Sequence, residues 1–178
     1  MTHKVGWYQV FIILLFLGGT AAFAQAGQYN KLTNNAAATL QGIKSINVQV
    51  APIDVDHEQE GLSQAEILEN TKRQLQRAGI KLLSEKEYDR LRAVRSYPLA
   101  QLTVAVAVKN TRSDEAKIYS VMVSIRQAVF LSRKPVVQFI GPTWESNTIG
   151  YTQDLDVIQE DIKSGVTKFI NAYFSANP

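Results

Sequence analysis

Leu102-Thr103-Val104-Ala105-Val106-Ala107-Val108 alternates large and small side chains without a break. Successive side chains of a strand point to opposite faces. Leu102, Val104, Val106 and Val108 therefore share one face, and Ala105 and Ala107 the other. The small residues on the second face suggest that something packs close there. Reading on towards the C-terminus, a polar turn over 110–117 precedes Tyr119, Val121, Val123, Ile125, Gln127, Val129 and Leu131, which keep the same alternation. Lys134-Pro135 turns the chain, and a further strand runs from Val136 to about Ile149, bent near Gly141-Pro142. Three such strands in succession, joined by turns, predict an antiparallel meander.

Upstream, Ile46, Val48 and Val50 alternate with Asn47 and Gln49, the pattern of a half-buried strand that Pro52 ends or edges. Ser63 and Glu66 then stand as a capping box, with Leu62 and Ile67 placed as a hydrophobic staple. They predict a helix to about Ala78, with Leu68, Thr71, Leu75 and Ala78 along one face. Gly79 is its expected stop, and Ile80 takes the Schellman position behind it. Ile80–Leu83 reads as a short strand. Ser84 and Glu87 offer a second capping box for a short helix through Tyr88, Leu91 and Val94. The last element is an amphipathic helix whose apolar stripe is Leu155, Ile158, Ile162, Val166, Phe169, Ile170 and Tyr173, capped by Asp154 or Thr152. The expected order is β-α-β(α)-β-β-β-α. It predicts an α+β fold, a mainly antiparallel sheet of about four to five strands with two long helices on one face.

Residues 1–24 read as a secretory signal peptide. Lys4 supplies the basic start, Val10–Leu17 the apolar core, and Ala22-Phe23-Ala24 the cleavage pattern. The alternative is a retained inner-membrane anchor, since residues 5–24 just reach the length a spanning helix needs. Residues 25–41 are small and polar, a flexible lead-in, and 42–178 is the expected single domain. The 178-residue chain has no cysteine, which rules out disulfides, a thiolate metal site, a catalytic thiol and a lipidated cysteine. Without residues 1–24 the net charge falls from +3 to +2, since Lys4 is lost; this is too mild to imply nucleic acid or an anionic membrane surface, and membrane contact is expected only through the N-terminal segment if it is retained. No Asn-x-Ser/Thr acceptor occurs. A periplasmic or secreted location in a bacterial envelope follows as the expectation.

Few residues suggest chemistry. Asp54, Asp56, His57 and Glu58 crowd one acidic loop and are candidate ligands for a hard cation in a small metal-assisted hydrolase. Their spacing is not that of a calcium-binding helix-loop-helix, and a solvated loop leading into a helix N-terminus explains the same acids. No G-x-S-x-G, phosphate-binding loop or G-x-G-x-x-G occurs, so neither a hydrolase elbow nor nucleotide binding is indicated, and no cofactor is expected. Trp144, beside Glu145, is a candidate contact for a ligand or partner, or a core residue. The basic set Lys86, Arg90, Arg92, Arg95 and Arg112 offers either a partner site or a solvated face.

The strand Ser45-Ile46-Asn47-Val48-Gln49-Val50-Ala51-Pro52 and the helix ending Arg77-Ala78-Gly79-Ile80 form the first half of a pattern. The long strands, Thr143-Trp144-Glu145 and a closing helix ending Tyr173-Phe174 complete it. In this order the chain resembles small bacterial envelope proteins: auxiliary components of ABC transporters, the lipopolysaccharide-assembly lipoprotein of the outer membrane, and the N-terminal domain of TolB-type periplasmic proteins. The resemblance is one of pattern, without a motif that assigns a residue a role. It implies a non-catalytic binding or assembly-accessory module with an envelope protein as partner.

Overall fold

β1 (Ile46–Val50) runs parallel to β2 (Ala100–Asn110), and β3 (Lys117–Leu131) and β4 (Lys134–Thr152) follow in antiparallel pairing, giving the sheet order β1-β2-β3-β4. The structure is a computed structural model that describes residues 36–92, 94, 99–111 and 116–178. The expected signal segment, most of the lead-in, Arg95 and Arg112 lie outside the described residues. The α+β fold and the meander β2-β3-β4 are as the alternation predicts. The sheet, however, is mixed rather than antiparallel throughout. A helical crossover connects β1 to β2 and returns the chain in its original direction, so this pair must be parallel.

That crossover carries α1 (Val55–Gln59), α2 (Gln64–Arg77) and α3 (Glu85–Arg92). The expected strand at Ile80–Leu83 shrinks to one parallel bridge, Ile46 to Leu82. Its hydrogen bonds are Ile46 N to Lys81 O (3.0 Å) and Leu83 N to Ile46 O (2.8 Å). The reason is local: Ser84 already caps α3, receiving Glu87 N at 3.3 Å while its own N donates to Glu87 Oε2 at 3.0 Å.

α2 ends as its sequence demands. Gly79 adopts φ +84, Gly79 N donates to Gln76 O and Ile80 N to Leu75 O, which is the Schellman pattern. α4 (Leu155–Ala176) starts at Asp154, whose carboxylate accepts from Asp156 N at 2.9 Å.

α2 packs on β1 and α4 on β3 and β4, both on the same sheet face. The core lies there. β2 contributes Leu102 and Val104, β3 contributes Val121, Val123 and Ile125, and the helices contribute Leu75, Ile158, Val166 and Phe169. Each such aliphatic or aromatic side chain is worth about 1.5–3 kcal/mol of burial. α4 lies close on β3 because residue 165 is glycine: a Cβ there would stand 2.7 Å from Val123 Cγ2. The core begins before Ile43, because Leu40, in a 3-10 turn over Ala37–Leu40, is fully buried. Asn177 ties the two ends together, accepting from Gly42 N at 2.8 Å and donating to Leu40 O at 3.0 Å. Among the described residues no helix is long and apolar enough to cross a membrane.

Candidate functional site

Both long helices occupy one face; on the other, Asn47, Ser124 and the Thr103 hydroxyl are buried, and the end that carries Ala107, Ile118, Ile149 and Tyr151 is exposed. The β3–β4 register sets Ile118 opposite Tyr151, Ser120 opposite Ile149 and Met122 opposite Asn147. The β2–β3 register sets Ala107 beside Ser120 and Ala105 beside Met122. Large apolar groups therefore stand on a low floor of alanine and serine. Ile118 is 54% exposed, Ile149 74% and Tyr151 68%. A contiguous apolar patch on an otherwise polar surface marks a contact site rather than random exposure. Lys109, at the end of β2, and Glu145, opposite Ser124, stand at its polar rim. Sequence reading saw the small floor in Ala105 and Ala107 but passed over the patch. The signal was present: Ile118, Met122, Ile149 and Tyr151 sit at positions that alternate with core positions, where a one-faced sheet would carry polar residues.

A second exposed region continues from the sheet. β2 pairs with β3 only from Ala100↔Gln127 onward. Beyond that point, among the described residues, β3 and β4 pair only with each other. They form a two-stranded arm over 128–140. At its base Ile125 pairs with Trp144 and Arg126 with Pro142, so Thr143 is the extra residue of a bulge. Gln127 Nε2 donates to Thr143 Oγ1 (2.7 Å) and to Thr39 O (3.0 Å), binding the bulge to the 3-10 turn. Val136, Phe130, Phe139 and Ile140 are all exposed on the arm.

The residues singled out by sequence fall in different places. Trp144 is on the core face, buried, with its ring 5.5 Å from that of Phe169 in an edge-to-face pair. Only its neighbour Glu145 reaches the other face. Arg90 and Arg92 stand exposed in the last turn of α3, where a cation is favoured by the helix dipole. Arg92 lines a cleft with Tyr88, Asn47 and Gln101 beside β1. β1 and β4 are opposite edges of the sheet, so the arginine pair and the Trp144-Glu145 pair do not form one site.

The acidic loop is given to local structure. Asp54 caps α1, accepting from Asp56 N at 3.2 Å. His57 is buried, with Nδ1 3.3 Å from Glu60 Oε2, and Lys117 Nζ lies 3.0 Å from the same oxygen. The Lys117 ammonium, and then His57, hold the Glu60 carboxyl below the usual carboxylate range. Among the described residues no three His, Cys, Asp or Glu side chains are grouped to hold a metal ion. Asp54, Asp56, His57 and Glu58 are thus not gathered as ligands. The imidazole Nδ1 faces Glu60.

A groove of about 330 Å³ runs between α2 and α4 over Ile67, Thr71 and Ile162. Gln74 Nε2 closes one side, donating to Thr167 Oγ1 (2.8 Å) and Lys163 O (3.1 Å). The Thr71 hydroxyl is buried beneath it with no partner among the described residues. Arg73, Arg77 and Lys163 on its rim are offset by Glu66 and Glu160, so it presents no single charge.

No protein-family model matches the chain, and no curated protein does. Among solved structures it is similar to rare lipoprotein B from Shewanella oneidensis, at 8% identity and a TM-score of 0.28, over 75% of this chain and 88% of that one. That likeness is too slight to decide either fold or function.

Proposed function

We propose that this chain is an exported, non-catalytic binding module of the bacterial envelope that holds a protein partner against the exposed end of the sheet face opposite its long helices. The observation that carries the reading is the exposed set Ile118, Met122, Ile149 and Tyr151 on its floor of Ala105, Ala107 and Ser120. An apolar centre with a polar rim is the anatomy of a protein interface. The signal-like N-terminus supports the export.

The test is cross-linking in the native envelope followed by co-purification, with the intact mass of the chain read in parallel. A stoichiometric protein partner that is lost in Ile149→Asp and in Tyr151→Ser is the expected result. Both side chains are exposed, so neither change should disturb folding. Recovery of the partner in wild-type yield from both variants would sink the assignment of this face.

A further inference from the structure

We infer that the β3–β4 arm docks on a bilayer surface that carries anionic phospholipid. This rests on the envelope location proposed above but not on the protein partner, which uses a different surface. The arm is apolar on both sides. The register sets Ala128 opposite Ile140 and Val129 opposite Phe139, and alternation puts these two pairs on opposite faces of the ribbon. Phe130 joins the first side. A position in the boundary of a bilayer takes up apolar groups on both faces at once.

Charge points the same way. Arg126 stands at the base of the arm and Arg133 and Lys134 at its tip, and no Asp or Glu occurs between Ala116 and Trp144, in a chain with 16 of them. Long basic side chains reach anionic headgroups while their stems and the neighbouring apolar groups enter the interface. The edges argue against addition of a partner strand. Pro135 and Pro142, on the outer strand, lack an N–H to donate, and the bulge at Thr143 bends the edge beside them. The remaining free backbone groups of both edges still need hydrogen bonds, which hydrocarbon cannot supply. Docking is therefore confined to headgroup depth.

The apolar run Val10–Leu17 would carry the full chain to a bilayer by itself, so the readout must be local to the arm. The chain has no cysteine, and Val136 is 84% exposed, so Val136→Cys gives a unique site for an environment-sensitive fluorophore. With vesicles of phosphatidylcholine plus phosphatidylglycerol the label should shift to an apolar environment. Arg133→Glu with Lys134→Glu should weaken that response about tenfold or more, and the response should fall with salt. The same fluorophore on Ile149→Cys, on the sheet face, should stay aqueous. A silent label at 136, or an equal response to pure phosphatidylcholine or after charge reversal, would overturn the proposal. So would a label at 136 that ignores vesicles but responds to an envelope protein. That last result would leave the binding-module reading standing, and loss of the partner altogether would fail that reading instead.

Discussion

Tyr119 shows how one side chain links sheet and helix. It lies opposite Gly150 on β4, and its ring occupies the space that a side chain at 150 would need. Its hydroxyl donates to Asp161 Oδ2 at 2.6 Å, fastening β3 to α4. The hydrogen bond to the carboxylate, and then burial, push the phenol up to about 12 from its ordinary 10.0. The folded state therefore keeps this proton where the unfolded chain has lost it. The associated stability is fully present below pH 10 and is lost as pH rises towards 12. Tyr119→Phe should cost about 1.5 kcal/mol at neutral pH. The gap between wild type and variant in denaturant titrations should then close above pH 10. A gap that stays constant to pH 12 would show that the phenol proton is not what holds β3 to α4.

Trp144 makes the opposite point at the same scale. Its residue type is equally at home in a core or at a contact, and nothing within a few residues distinguishes the two. The bulge at Thr143 decides it, by setting Trp144 opposite Ile125 on the face that α4 covers.

Among the elements, the helix boundaries were the most legible feature. Ser63, Gly79, Ser84 and Asp154 all sit where capping chemistry predicts, because a cap is satisfied by backbone groups only a few residues away. Gly79→Ala should therefore destabilise the protein by about 1 kcal/mol, since an alanine is strained at φ +84. Gly79→Asn should cost clearly less. Equal losses for the two in chemical denaturation would show that the left-handed turn is not the reason. The strand expected at Ile80–Leu83 was less legible. Its residues have strand composition, but the Schellman turn before it and the cap after it leave room for one bridge only. α3 buries none of its residues fully, so its apolar spacing was a weak guide to its packing.

At the scale of the molecule, the core and the arm are separate. No hydrophobic side chain between Arg126 and Thr143 belongs to the buried core, which passes from Ile125 directly to Trp144. Replacing 129–139 by an Asn-Gly turn, which suits a two-residue hairpin, should shift global stability by no more than about 0.5 kcal/mol. Thermal and urea unfolding of the shortened chain would check this. A large loss would mean that the arm supports the fold rather than projecting from it for contact.

The sequence by itself determined which residues alternate, where helices start and stop, and which stripe of each element is apolar enough to bury. Those properties depend on neighbours two to four positions away, within the reach of strand and helix geometry. Tertiary structure alone decided that β1 lies parallel to β2, that Trp144 is inside and that His57 of the acidic loop pairs with Glu60, which Lys117 also meets. It also decided that two apolar surfaces, the sheet face and the arm, remain exposed. A strand with apolar residues on both sides does not say which side the helices will cover. That depends on the long-range pairing of β3 with β4 and on the close approach of α4 at Gly165, which no local pattern encodes.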